Sequence, residues 1–230
     1  MALSRHVVSL FAILWLMTGC GNMGQTDLAT SATQIVTGLV TQGEPAQLTA
    51  TRASLEAAGF DQPLLVVTVR QPNVLRAGFL LAGATDGVLI WRAADGSTVK
   101  AEGGVLRGTV GFGFDLDSAE TAPTLRALST QDTAPYFRTY RHLSGLNQIR
   151  RTRYVCRLQP PVAERIIVFD RAHDTLKFVE LCTAETGQTP DADATIENIY
   201  WQDRRRPILW RTDQSVSDEL GNALFERVIE

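Results

Sequence analysis

Histidine and cysteine are scarce in this chain of 230 residues, with three of each. One of each kind falls within the first twenty positions, which leaves His142, His173, Cys156 and Cys182. Neither histidine belongs to an H-E-x-x-H run, and no cysteine spacing suits zinc. A G-x-S-x-G nucleophile elbow and a P-loop are also lacking. The sequence therefore assigns no catalytic residue and gives no reason to expect a metal or cofactor. A strong charge of one sign is missing too. The net charge of -3 offers nucleic acid or an anionic membrane no whole-chain attraction, so nucleic acid is not an expected partner. The opening apolar run, Val7 to Met17 interrupted by Ser9, is eleven residues long. A bilayer core needs about 20. No period of 20–50 residues marks a solenoid.

What is present at the start reads as an export signal. Arg5 and His6 precede the apolar run, and Leu16-Met17-Thr18-Gly19-Cys20 closes it with small residues. This segment resembles the lipobox of bacterial lipoproteins, which implies cleavage before Cys20 and lipidation of its sulfur. An ordinary signal peptide with an incidental cysteine is the alternative. Two acyl chains give stable anchoring where one does not. Gly21 stands where an aspartate favours the inner membrane, so the resemblance implies anchoring to the periplasm-facing inner leaflet of the outer membrane. The expected organisation is a leader at 1–19, a lipidated tether at 20–30 and a single β-rich periplasmic domain at 31–230. In that oxidising compartment an even pair, Cys156 and Cys182, suggests a disulfide. It would close 26 positions and contribute about 3–4 kcal/mol in the chain-entropy model. Two buried free thiols are the alternative.

Ile35, Leu39 and Val40 have near-helical spacing, and a second helix is expected over Gln47–Ala58, ended by Gly59. From Pro63 onward short apolar runs alternate with turn residues. Strands are expected at Leu64–Val69, Val74–Leu81, Val88–Arg92, Ser97–Ala101 and Val105–Phe114, with Asp86-Gly87 and Asp95-Gly96 as hairpin signals. Pro123–Leu128 suits one or two helical turns. Tyr136–Leu143, Gln148–Leu158, Val162–Phe169, Thr175–Leu181, Ile196–Trp201, Ile208–Thr212 and Leu224–Ile229 complete the strands. Ser144–Asn147 and Asp170–Asp174 read as turns, which places His173 in solvent. Short connections and no long helix predict a mainly β fold. Its expected form is an antiparallel meander curving into a half-barrel or barrel-like sheet, with one or two N-terminal helices.

Three clusters are candidates for chemistry or binding. Asp115, Asp117 and Glu120 could serve calcium or acid–base work, but Asp117-Ser118 equally suits a helix cap. Between Arg138 and Arg157 lie six arginines and no acid. Alternation puts Arg151, Arg153 and Arg157 on one strand face, with Arg150 and Tyr154 on the other. Three guanidiniums on one side suit carboxylates or phosphates, against a plainly solvated strand face as the alternative. Tyr200, Trp201 and Trp210 with Arg204-Arg205-Arg206 suit either sugar stacking or core packing.

Several ordered pieces together resemble the YjbF family of group 4 capsule polysaccharide lipoproteins. They are Thr51-Arg52-Ala53, Pro63-Leu64-Leu65-Val66, Asp115-Leu116, Tyr140-Arg141-His142-Leu143, Gln148-Ile149-Arg150-Arg151, Tyr154-Val155-Cys156, Glu180-Leu181-Cys182, Asn198-Ile199-Tyr200-Trp201 and Ile208-Leu209-Trp210-Arg211. The resemblance covers roughly residues 30–225. It implies a β-rich lipoprotein encoded with capsule or exopolysaccharide export components, without an enzymatic activity to transfer. Cys156 and Cys182 match the family's paired cysteines. The expectation is a membrane-anchored, non-enzymatic accessory factor that binds an acidic polysaccharide or a polysaccharide-export protein. A carrier of lipid or another hydrophobic ligand, with Leu64, Val66 and Phe79 lining its cavity, is the first alternative. A polysaccharide hydrolase using Asp115, Asp117 or Glu120 is the second. A homodimer is compatible with the sequence, which fixes no oligomeric state.

Overall fold

The computed structural model describes residue 48 and residues 50–70, 74–143, 148–185 and 195–229. The leader, Cys20, the tether, the helix expected around Ile35–Val40 and the turn at Ser144–Asn147 lie outside the described residues. Helix α1 spans Arg52–Ala57 and α2 spans Ala122–Thr130. The strands are β1 (Leu64–Val69), β2 (Leu75–Thr85), β3 (Val88–Arg92), β4 (Thr98–Glu102), β5 (Val105–Val110), β6 (Leu116–Ala119), β7 (Tyr136–Leu143), β8 (Ile149–Leu158), β9 (Val162–Val168), β10 (Arg171–Ala184), β11 (Thr195–Asp203), β12 (Leu209–Ser217) and β13 (Gly221–Ile229). No described helix is long and apolar enough to cross a membrane.

All ladders are antiparallel, and the sheet follows chain order from β1 to β5 and from β6 to β13, omitting only β9, which pairs with β10. The pairing of β1 with β13 joins the two runs. The result is a meander curled into a nearly closed barrel, as the short connections predict. Its open seam lies between β5 and β6. There a Cβ on Gly108 would come within 2.9 Å of the Asp117 carbonyl, so only glycine lets the two backbones approach. Thr109 and Asp115 bridge the gap: the Thr109 hydroxyl donates to Asp115 (2.8 Å) and accepts from the Leu116 amide (3.0 Å).

The unbroken run of β1 is apolar because both its faces are covered. Leu65 and Val67 point into the barrel with Phe79, Trp91, Tyr140 and Phe225. Leu64 and Val66 point outward into a second core with Leu55, Ile166, Phe169 and Trp210. That outer core forms because α1 and the β9–β10 hairpin fold over the sheet. Helix α1 is shorter than the expected Gln47–Ala58. A reciprocal cap between Thr51 and Ser54 starts it at Arg52, while Leu48 is tied to the Arg76 carbonyl. A third cluster seats Ala127 and Leu128 of α2 against Phe178, Tyr200 and Leu209.

Two further expectations are corrected. Residues 116–119 form a strand, so Asp117-Ser118 does not cap a helix; the residue before α2 is Thr121, whose hydroxyl bonds Glu102. The hairpin after β9 turns at Phe169-Asp170 alone, both at positive φ (44° and 63°), with Val168 opposite Arg171. His173 is therefore a strand residue packed against Trp210 at 4.0 Å between ring centroids, not a solvated turn residue.

Candidate functional site

The most concentrated chemistry lies inside the barrel, at Glu180 of β10 and Arg138 of β7, both essentially without solvent exposure. Arg138 Nη1 donates to Glu180 Oε2 at 2.7 Å and to the Tyr200 hydroxyl at 3.1 Å, while Nε donates to the Glu120 carbonyl at 2.9 Å. Glu180 also accepts from Tyr136, Thr124, Asn198 and Tyr200 at 2.5–3.0 Å. Burial pushes the Glu180 carboxyl upward, but Arg138 and the donated hydrogen bonds outweigh it and hold the pKa below the usual carboxylate value. Burial likewise acts to lower Arg138, and Glu180 more than compensates. Every charge here is answered by a protein partner, which describes a structural network with no free acid or base. Nothing in the sequence announces this network, since no local pattern sets Glu180 apart from other acids or Arg138 from the five arginines that follow it.

Beside this network, Cys156 of β8 and Cys182 of β10 face each other in register and form a disulfide. Glu180 and the two sulfurs lie close enough to invite a metal, but sulfurs bonded to each other offer no thiolate. The barrel interior leaves a void of about 80 Å3 near Leu65, Trp91 and Phe225. Small-molecule sites are typically about 300–1,000 Å3. Leu64 and Val66 lie on the opposite face of β1 from Phe79, so the three residues expected to line a carrier cavity share none.

The arginines of β8 do share the outer face. Thr152, Tyr154, Cys156 and Leu158 are buried, whereas Arg151 and Arg157 are exposed and Arg153 is half-exposed. The three differ in their engagement. Arg153 stacks on Phe137 at 3.7 Å and lies 3.6 Å from Glu185. Among the described residues Arg151 and Arg157 have no ion pair. They sit six residues apart, about 20 Å along a strand. One small anion cannot bridge them, but an extended polyanion can. Phe137, Val155 and Leu181 are exposed on the same face. Arg150 and Tyr154 lie on the other face, as alternation predicts: Arg150 pairs with Asp218 at 2.5 Å at the strand's start, and burial together with that Asp218 carboxylate pushes the Tyr154 hydroxyl pKa up.

The second cluster is divided. Tyr200, Trp201 and Trp210 are all buried, so none offers a sugar a stacking face. Trp210 Nε1 donates to Asp203 at 2.9 Å, and the amides of Arg205 and Arg206 donate to the same carboxylate. Arg204, Arg205 and Arg206 are exposed beside a cleft that they share with Arg171 and His173. The carboxylates of the first cluster do not converge either. Asp115 is consumed by Thr109 and by the amides of Gly111 and Phe112, and Asp117 is exposed beside Ser118. His142 hydrogen-bonds the Val216 carbonyl at 2.9 Å.

With this geometry in view, comparisons with known proteins give one family and one fold. The family model described as group 4 capsule polysaccharide lipoprotein gfcB, YjbF, matches residues 33–228. The crystal structure of the hypothetical lipoprotein YmcC from Escherichia coli superposes with a TM-score of 0.70 at 13% identity, covering 90% of this chain and 97% of that one. A putative exported protein with a YmcC-like fold from Bacteroides fragilis aligns over 72% of this chain and 92% of its own at 10% identity, with a TM-score of 0.31. No curated protein matches by sequence.

Proposed function

Because the chain belongs to the YjbF family of group 4 capsule polysaccharide lipoproteins, we propose that it is a lipid-anchored accessory factor in capsule or exopolysaccharide export or assembly, without enzymatic activity of its own. Its place is the cell envelope. Anchoring through Cys20 to the periplasmic leaflet of the outer membrane is the finer part of the proposal, supported by the lipobox-like sequence. The protein works by contact: the outer face of β8 binds an acidic polysaccharide, or the partner export protein that carries it.

The observation that carries this reading is the contrast between the two faces of β8 and its neighbours. Inside, Arg138 and Glu180 neutralise each other, and packed side chains leave a void of only about 80 Å3 near Leu65, Trp91 and Phe225. Outside, Arg151 and Arg157 are presented without an intramolecular counter-ion among the described residues, beside the exposed Phe137 and Val155. Guanidinium groups spaced along a strand match carboxylates spaced along a polymer. Calorimetric titration with an acidic exopolysaccharide should show salt-dependent binding. The double variant Arg151→Ala/Arg157→Ala should weaken it roughly tenfold, as expected for the loss of two charge-assisted contacts at an exposed face. Unchanged affinity in that variant, or binding indifferent to salt, removes the polyanion contact. Metabolic palmitate labelling that fails on wild type removes the anchor.

A further inference from the structure

A polar cleft of about 490 Å3 opens where the start of β10 meets the β11–β12 turn, with Arg171 and His173 on one wall and Arg204, Arg205 and Arg206 on the other. We infer that this cleft is a binding site for one oxyanion, a carboxylate or a phosphate, held by the guanidinium groups of Arg171, Arg204 and Arg205 with His173 as the buried donor. That the oxyanion is a substituent of a glycan rests on the polysaccharide reading above; the site itself does not.

Four arginines and two carboxylates, Asp174 and Asp203, line the cleft, and both acids have other commitments. Asp203 accepts from Trp210 Nε1 and from the amides of Arg205 and Arg206, which organises the turn and holds three consecutive guanidinium-bearing residues at the rim. Asp174 lines the cleft from the opposite side of β10 to Arg171 and His173, and its exposed carboxylate lies 3.9 Å from Arg165, which is not a lining residue. Arg206 lies over the Trp210 ring at 5.3 Å. The side chains of Arg171, Arg204 and Arg205 make no ion pair among the described residues, and all three are exposed. Planar forks around a concavity of this size match a bidentate oxyanion on a small ligand.

His173 supplies the second, independent sign. It is 8% exposed, and its Nε2 is buried with no hydrogen-bond partner among the described residues. A buried polar nitrogen left unpaired costs free energy, and a small rotation of the ring toward the cleft that the residue lines would let a ligand oxygen remove that cost. The groups facing the ring are Arg171 on its own strand, Arg52 of α1, and Asp203 and Arg206 of the turn. Burial, Arg171 and Arg52 hold its pKa below the ordinary histidine value, so it is neutral at neutral pH. A bound anion offsets part of the arginine contribution and so should raise the ring's affinity for a proton.

The test is an NMR titration of the His173 imidazole in the mature chain, using inorganic phosphate, glucuronate and glucose as three separate probes. His142, already bonded to the Val216 carbonyl, is the internal reference. Saturable movement of the His173 signals with phosphate, glucuronate or both, a higher His173 pKa in the bound state and no response to glucose are expected. Which probe binds tells phosphate from carboxylate. Arg171→Ala and Arg205→Ala should each weaken binding about tenfold, the loss of one charge-assisted contact. Arg126→Ala, on the exposed side of α2, should not. No movement of His173 at saturating anion, or movement unchanged in both cleft variants, overturns the site. These small probes cannot span β8, so their failure leaves the long-chain contact standing, and failure of that contact leaves this result untouched.

Discussion

Glu180 is a carboxylate without solvent exposure and with four donors besides its arginine, so its charge is worth what its neighbours make it worth. A buried ion pair often contributes little net stability, because desolvation of both ions offsets their attraction. Breaking one is different, since the survivor is stranded. Glu180→Gln leaves the Arg138 guanidinium fully buried without its counter-charge and should destabilise the fold by about 3–5 kcal/mol. The paired change Arg138→Met/Glu180→Leu should lose much less than the single one, because no charge remains inside. Urea unfolding of both variants makes the comparison. A double variant as unstable as the single one shows that the hydrogen bonds, not the charges, carry the network. The sign of the pH effect follows from the depressed Glu180 pKa. Its contribution is complete above the ordinary carboxylate value of 4.5 and is lost as pH falls through the lower folded-state value. Wild type should therefore show an acid-unfolding transition below that value which the uncharged double variant lacks.

Between strands, the disulfide is the covalent form of a register already set by the ladder. Cys156 and Cys182 are partners in the β8–β10 pairing, two rows from Glu180 and Leu158 and on the same face. Replacing both by Ala should leave the barrel intact and lower its stability by about 3–4 kcal/mol on the loop-entropy account for 26 positions. A matched pair of denaturation curves measures this, and equal midpoints refute it. Elements of this size were largely legible in the sequence. The bounds of β1 and β3 follow directly from apolar runs, and Asp86-Gly87 is a two-residue turn with both residues at positive φ. The outer row of Arg151, Arg153 and Arg157 follows from strand alternation alone. What stayed hidden broke a local rule for a tertiary reason. Phe169 and Asp170 occupy a turn that favours Asn-Gly, because the Phe169 ring is buried in the outer core under Arg76. β6 was missed because its Leu116-Asp117-Ser118-Ala119 has too few apolar residues to announce a strand and depends on β7 for its pairing. The cleft at His173 escaped because the turn was expected to run through Asp174, which turned a wall residue into a solvated one.

At the scale of the whole barrel, the two closures are unequal. Where β1 meets β13 a full ladder runs from Leu64–Ile229 to Val69–Ala223, and a pattern of local runs cannot specify such a long-range pairing. Where β5 meets β6 no ladder forms, and the join depends on Gly108, which lets the backbones approach, and on one carboxylate. Asp115 accepts from the Thr109 hydroxyl and from the Gly111 and Phe112 amides, so it fixes the bend that carries the chain from one side of the seam to the other. Opening free energy is lowest where backbone hydrogen bonds are few, so the barrel should open at this seam before any other place. Asp115→Ala should cost about 1–3 kcal/mol, the range for leaving such donors unsatisfied. The loss should be local: amide exchange at Gly111, Phe112 and Leu116 should accelerate while the amides of β1 and β13 keep their protection. If exchange quickens equally on both sides of the barrel, the seam is no weaker than the ladder. If wild type complements a capsule-export defect and a well-folded Asp115→Asn variant does not, this carboxylate returns to the list of groups that act on a ligand. A structural clasp predicts a phenotype only when stability falls, because a hinge that merely holds two strands together touches no sugar.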